Sequence, residues 1–150
     1  MPTDILRARS KVSGRSQAVL REPSDRIIVL EAGRVSIRAR LAPTATADLI
    51  WEALPIFSKA EPWGEAIHFQ IPLRCGRDRT ARLQARLGDI CLWCEERRVI
   101  IAFGPTPISR PNEIRMPSPV NVLANALDDV GVLRGVRVGE KVSLSRWRGS

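Results

Sequence analysis

Tyrosine is absent from this sequence of 150 residues, histidine occurs once and cysteine three times. Each shortage closes a route. A single histidine offers no histidine pair, and Cys91 and Cys94 form a lone C-x-x-C, so the ligand spacing of a structural zinc site is missing. A metal centre would have to gather His68 and carboxylates from separate segments. The flanks GDICLWCEE read as a strand, where residues three apart point to opposite faces, so Cys91 and Cys94 should neither bond each other nor share a metal. The odd third thiol, Cys75, fits a reducing compartment. No apolar run approaches the ~20 residues of a membrane span. No stretch combines a short apolar core with a small-residue cleavage site, as a secretory signal would. A Walker-type loop and a dinucleotide fingerprint are also missing. A cytoplasmic protein with no membrane partner, no metal and no cofactor is expected.

Acidic residues are outnumbered, 16 against 24 basic ones, for a formal charge of +8. The excess is mostly arginine, scattered along the chain. Such a balance permits contact with nucleic acid or an acidic membrane. Base stacking, however, needs aromatics among the basic residues. Tyrosine is lacking and the tryptophans lie mostly outside the Arg-rich segments, so nucleic acid is the disfavoured partner.

What is present is a succession of short strand signals. Residues 1-25 are rich in Arg and Ser and read as a basic, flexible N-terminal arm; residues 26-148 read as one domain. RIIVLEAG turns at Ala32-Gly33 into RVSIRARL, where Val35, Ile37, Ala39 and Leu41 alternate with Arg34, Ser36, Arg38 and Arg40. That period of two marks a half-buried strand and, with its neighbour, a hairpin. In APTATADLIWEALPIF, Thr44 or Thr46 can cap a helix whose Ala47, Ile50, Trp51 and Leu54 share one face, with Pro55 ending it. WGEAIHFQIP reads as a strand with Ile67, Phe69 and Ile71 on one side and Ala66, His68 and Gln70 on the other. Residues 74–89 read as a long basic loop or outer hairpin. DICLWC and RRVIIAFG are two more strands, the second apolar on both faces and therefore central. Residues 104–119, dense in proline, read as a stiffened loop. A strand passing into a short helix and a last strand with Val142 and Leu144 inward complete the chain. Mostly hairpin-linked strands with separated helices favour an antiparallel barrel or sandwich over a doubly wound sheet.

Trp63-Gly64-Glu65 with Ile67 and Phe69, then Gly88-Asp89-Ile90 with Trp93, Phe103-Gly104 with Thr106-Pro107 and Ser109, and Pro119-Val120-Asn121-Val122, in that order, resemble the small cyclophilin-like proteins of bacteria and archaea, a family of largely uncharacterised function. The resemblance spans roughly Ile27 to Arg146. It implies a mainly β fold: a closed antiparallel barrel of about eight strands with two capping helices. It does not carry over prolyl isomerase activity. The hallmark Phe-His-Arg run of true cyclophilins is replaced here by Ala66-Ile67-His68-Phe69-Gln70, without the arginine. True cyclophilins bind peptides on the outer barrel face, and the resemblance places His68 and Gln70 there.

The candidate ligand-binding residues are therefore Trp63, Glu65, His68, Gln70, Phe103, Thr106, Ser109 and Asn121. Apolar rings with a few hydrogen-bonding groups are the ordinary make-up of a small-ligand site. Five of them also have a plain structural role: His68 as a wet strand residue, Glu65 as a partner for a backbone N–H or an arginine, Asn121, Thr106 and Ser109 as organisers of the proline-rich loop. The expected function is binding of a small molecule or short peptide in an outer-face groove, with a homodimer as an admissible assembly. The alternatives are a prolyl isomerase, or a hydrolase in which His68, oriented by Glu65, activates Ser109, Ser58 or a cysteine. Nothing in the spacing demands catalysis.

Overall fold

Alternation of apolar and polar residues builds the first hairpin. In a computed structural model, residues 25–149 are described. All of the expected arm except Asp25 lies outside the described residues. Ile28, Leu30 and Ala32 of β1 (Ile27–Ala32) and Ile37, Ala39 and Leu41 of β2 (Val35–Leu41) are buried. Ser36, Arg38 and Arg40 stand on the solvent side, as the period of two requires. The helix α1 (Ala45–Ala53) follows, capped by Thr44, whose hydroxyl accepts from the Ala47 N–H at 3.1 Å. Ala47 and Ile50 enter the core; Trp51 is half-buried, with the Arg146 guanidinium 4.3 Å above its ring.

Beyond Pro55 come two strands that the sequence did not announce, β3 (Ile56–Lys59) and β4 (Glu61–Pro62). In β3 only Ile56 is buried, while Phe57 is 75% exposed, so no alternation is legible there. The remaining strands are β5 (Ala66–Gln70), β6 (Arg82–Ala85), β7 (Asp89–Trp93), β8 (Arg98–Ala102), β9 (Ile114–Ala126) and β10 (Lys141–Arg146). A six-residue 3-10 helix, Val130–Gly135, stands where the second capping helix was expected. The sheet runs β3-β10-β1-β2-β9-β7-β8-β5-β4, with β6 pairing β9 off this path. Every pairing is antiparallel. The two ends of the path, β3 and β4, are sequence neighbours, which makes the sheet a nearly closed antiparallel barrel.

Ala60 is the joint. It is fully buried, its N–H donates to the Glu140 carbonyl at 2.9 Å, and its carbonyl accepts from the Gly139 N–H at 2.8 Å. On one side of it β3 pairs β10 from Ile56↔Leu144 to Lys59↔Lys141. On the other β4 pairs β5, with Glu61 opposite His68 and Pro62 opposite Ile67. The pairing therefore forks at Ala60, and a cleft opens outside the fork.

The segment expected as a proline-rich loop over 104–119 becomes strand from Ile114 onward. Pro117 and Pro119 are tolerated because they fall in an irregularity: Arg82 of β6 faces Val120, while Gln84 faces Arg115. Inside such a bulge no ladder hydrogen bond is required of the intervening residues. The first half of β9 and β6 form a ribbon that lies over the outer face of β5, β8 and β7. Beneath it Ala66, Ala85, Cys91, Ile100, Ala102, Met116 and Val120 form a second apolar cluster. The opposite faces of the same strands, with Ile67, Phe69, Val99 and Ile101, belong to the main core. This explains why β8 is apolar on both sides. Cys91 of β7 lies in the outer cluster and Cys94, in the turn just after that strand, in the main core, so the two thiols stand on opposite sides as expected.

One buried side chain pins the long crossing over 71–81. Asn121 is fully enclosed. Its Oδ1 accepts from the Asp78 N–H at 2.7 Å, and its Nδ2 donates to the Gly76 carbonyl at 2.9 Å and to the Thr46 hydroxyl at 3.0 Å. That hydroxyl in turn donates to Asp78 Oδ1 at 3.1 Å. A buried polar group left without its partner costs about 1–3 kcal/mol. Asn121→Ala, which orphans an N–H and a carbonyl, is therefore expected to lower unfolding free energy by about 2–4 kcal/mol in a denaturant titration. Faster amide exchange at Asp78 than at the strand amides of β7 should accompany it.

Candidate functional site

The eight candidate residues do not converge; the structure distributes them over five places. Trp63 begins the turn into β5, its N–H donating to the Ala66 carbonyl at 2.8 Å, and its ring packs against the outer apolar cluster. Gly64 next to it has φ +57°, and a Cβ there would stand 2.6 Å from Pro107 Cδ, so no side chain fits where the 104–113 loop leans on this turn. Glu65 is turned away from His68: its Oε1 meets Arg134 at 3.0 Å, and that guanidinium also lies 5.0 Å from the centre of the Phe103 ring. Phe103 packs on the main core rather than on the outer cluster that holds Trp63, so these two rings do not wall one groove.

Thr106 and Ser109 are occupied within their own loop. The Ser109 hydroxyl accepts from the N–H groups of Thr106 at 3.0 Å and Arg115 at 2.9 Å, and the Thr106 hydroxyl donates to the Arg115 carbonyl at 2.6 Å. Asn121 is spent on the 71–81 crossing and presents nothing outward. The part of the outer wall expected to form a groove beside Trp63 is covered by the β6–β9 ribbon, with Met116 and Val120 fully buried. The Glu65–His68–Ser109 arrangement is not assembled, since Glu65 and Ser109 each have other partners and the carboxylate facing His68 is Glu61.

What remains together is His68 and Gln70 on the outward face of β5, as the alternation predicted. His68 is half-buried, with the Trp93 ring 6.4 Å away edge-on. Arg98, on the neighbouring β8, bridges His68 Nδ1 at 3.2 Å and Glu61 Oε2 at 3.0 Å. A guanidinium only donates, so Nδ1 must accept and the ring proton sits on Nε2. Burial and then the Arg98 charge hold the His68 pKa below its usual value, and Glu61 opposes them. Arg98 stands where sequence reasoning found no arginine, because it comes from a different strand. Its place opposite Gln70 follows from register alone.

Alongside this pair runs the cleft outside the fork, about 520 Å³, lined by Phe57, Lys59, Glu61, Gln70, Arg98 and Lys141, with Ser58 and Val142 at its floor. Phe57 and Lys59 went unnoticed in the sequence because β3 itself did. Their signal was a phenylalanine placed two residues beyond a helix-ending proline, which a helix reading absorbs. Among the described residues, no cluster of three or more His, Cys, Asp or Glu is placed to hold a metal ion. No helix among them is long and apolar enough to cross a membrane.

Comparison with known families places this barrel. The cyclophilin-like family profile matches residues 26–145. The chain belongs to the cyclophilin-like family. Among solved structures, this cyclophilin-like barrel is similar to the hypothetical protein AF2241 from Archaeoglobus fulgidus. That similarity has a TM-score of 0.72 at 28% identity, over 84% of this chain and 98% of that one. It is also similar to McbB, solved in complex with tryptophan, with a TM-score of 0.62 at 15% identity, over 82% of this chain and 45% of that one. The cyclophilin-like chain thus spans less than half of McbB, and at that identity the likeness shows the fold alone. No curated protein matches the sequence.

With one histidine in the sequence, its ring resonances are unambiguous. An NMR titration should place the His68 pKa below about 6.5. Arg98→Met should move it up and Glu61→Gln should move it down. The native state therefore binds this proton less readily than the unfolded chain. The His68 contribution to stability is full above the unfolded value and is lost as pH falls from about 6.5 through the lowered native value. In His68→Gln that pH dependence should be absent from the unfolding free energy.

Proposed function

We propose that this cyclophilin-like barrel binds a small molecule, or a short peptide segment, in the cleft that opens outside the fork. The observation that carries the reading is the cleft itself. At about 520 Å³ it falls within the range of small-ligand sites, and it combines an exposed aromatic ring with several convergent polar groups. Phe57 supplies apolar contact. Gln70 supplies an amide that can both donate and accept. Arg98, anchored by Glu61 and His68, has a fixed position and little freedom to lose on binding. In this reading Gln70 would contact the ligand directly, while His68, expected as a direct contact, would act only by holding Arg98. The other partners proposed there act in the scaffold. McbB, of similar fold, is described in complex with tryptophan, a small amphiphilic molecule of the size such a cleft takes.

A thermal-shift screen of the whole chain against metabolites and short peptides tests the proposal, because a ligand of the native state raises the melting temperature by mass action. A compound at about a hundred times its Kd should contribute about 2.7 kcal/mol. Its effect should fall away in Phe57→Ser and in Gln70→Ala. A ligand whose stabilisation survives both substitutions would move the site elsewhere on the barrel.

A further inference from the structure

We infer that the cleft outside the fork recognises the carboxylate of a small aromatic acid, held between Lys59 and Lys141. The inference rests on the reading of this cleft as a ligand site and names the chemistry that the site selects. Lys59 and Lys141 are direct cross-strand partners between β3 and β10, and both are exposed and line the cleft. Like charges placed directly opposite each other on a sheet destabilise it. An acid on either strand or on the facing wall would relieve the pair, yet none does so. Glu61 is engaged by Arg98, Glu140 accepts from the Arg137 N–H, and Glu31 faces Ser143. Neither lysine has an ion-pair or hydrogen-bonding partner among the described residues. Two lysines on adjacent strands, paired Cα to Cα and without a counter-charge, can together take an anion whose two oxygens lie side by side.

The body of the ligand follows from the rest of the wall. Phe57 lies two residues before Lys59 and therefore on the same face of β3. Its ring is 75% exposed, a large apolar surface left in water at the lip of a charged cleft. Aromatic faces gain most against other flat rings, offset or edge-on. Gln70 closes the far side, where it can meet a polar substituent. The ligand that complements all three features is a flat ring bearing a carboxylate, small enough for about 520 Å³. An aliphatic cation or a neutral sugar would leave the lysines unanswered.

Isothermal titration calorimetry of the full chain with 2-naphthoate and with 2-naphthamide, its uncharged counterpart of the same shape, tests this. The acid should bind roughly tenfold or more tightly than the amide, the ratio that one charge-assisted hydrogen bond supplies. Lys59→Met and Lys141→Met should each remove most of that advantage, bringing the affinity of the acid toward that of the amide. Added salt should weaken the acid and spare the amide. Both lysines are exposed, so the variants are expected to keep the melting temperature of the parent or exceed it, which separates lost recognition from lost fold. Acid and amide binding alike would overturn the carboxylate assignment while leaving the cleft a ligand site. Acid binding that survives both lysine substitutions, or failure of both probes to bind at millimolar concentration, would overturn the inference as well. Absence of any stabilising compound in the wider screen would instead remove the broader reading.

Discussion

A single stretch of chain cannot pair along its whole length with two diverging neighbours, and the barrel is closed by making one try. Residues 56–62 give their first half to β10 and their second half to β5. The change of partner falls at Ala60, whose backbone groups are both taken up by the turn at Gly139 and Glu140. Everything distinctive about the exterior follows from this division. It joins the two ends of the sheet and fixes Glu61 opposite His68. It also leaves a wedge of open surface where β3 and β5 part. A sheet that closed with an unbroken ladder would have no cleft there.

The rest of the outer wall is unavailable for a different reason. Beneath the β6–β9 ribbon, Met116, Val120 and Ile100 make a second apolar layer. The three strands below it are consequently sandwiched, which stiffens them and seals the area around Trp63. Rigidity on that side and openness at the fork are complementary. His68, Trp93 and Arg98 mark the border between the covered and uncovered parts of the wall. The half-burial there is enough to disfavour the imidazolium without expelling the ring from water altogether.

The sequence was most legible where each residue answers to one neighbour above and one below. The alternation in β2, β5 and β10 predicted the side chains that face the core, because period-two patterns record which face meets it. Thr44 announced the start of α1 through a contact three residues away. The family resemblance supplied barrel rather than sandwich, which no local pattern distinguishes. Legibility ended where long-range register decides. Arg98 joins His68 only because β8 pairs β5 in one particular alignment. Glu65 leaves His68 because a 3-10 helix some seventy residues later brings Arg134 to it, and no spacing rule encodes that (the interval is the difference between 134 and 65). Asn121 reads in the sequence both as a ligand contact and as an organiser of the proline-rich loop; it orders backbone, but that of the 71–81 crossing, since which backbone a strand amide meets depends on what crosses the barrel end. β3 stayed hidden because its exposed phenylalanine breaks the very alternation by which strands are recognised.

The fork also separates two kinds of constraint. Closure is the work of main-chain groups and of the small enclosed methyl of Ala60, whereas the cleft is walled by exposed side chains, Phe57, Lys59, Gln70 and Lys141, that carry little of the fold. Those four positions can be rewritten in a descendant chain without disturbing the joint beneath them. The scaffold is in this sense evolvable: the chemistry of its rim can drift through substitutions while its architecture stays put.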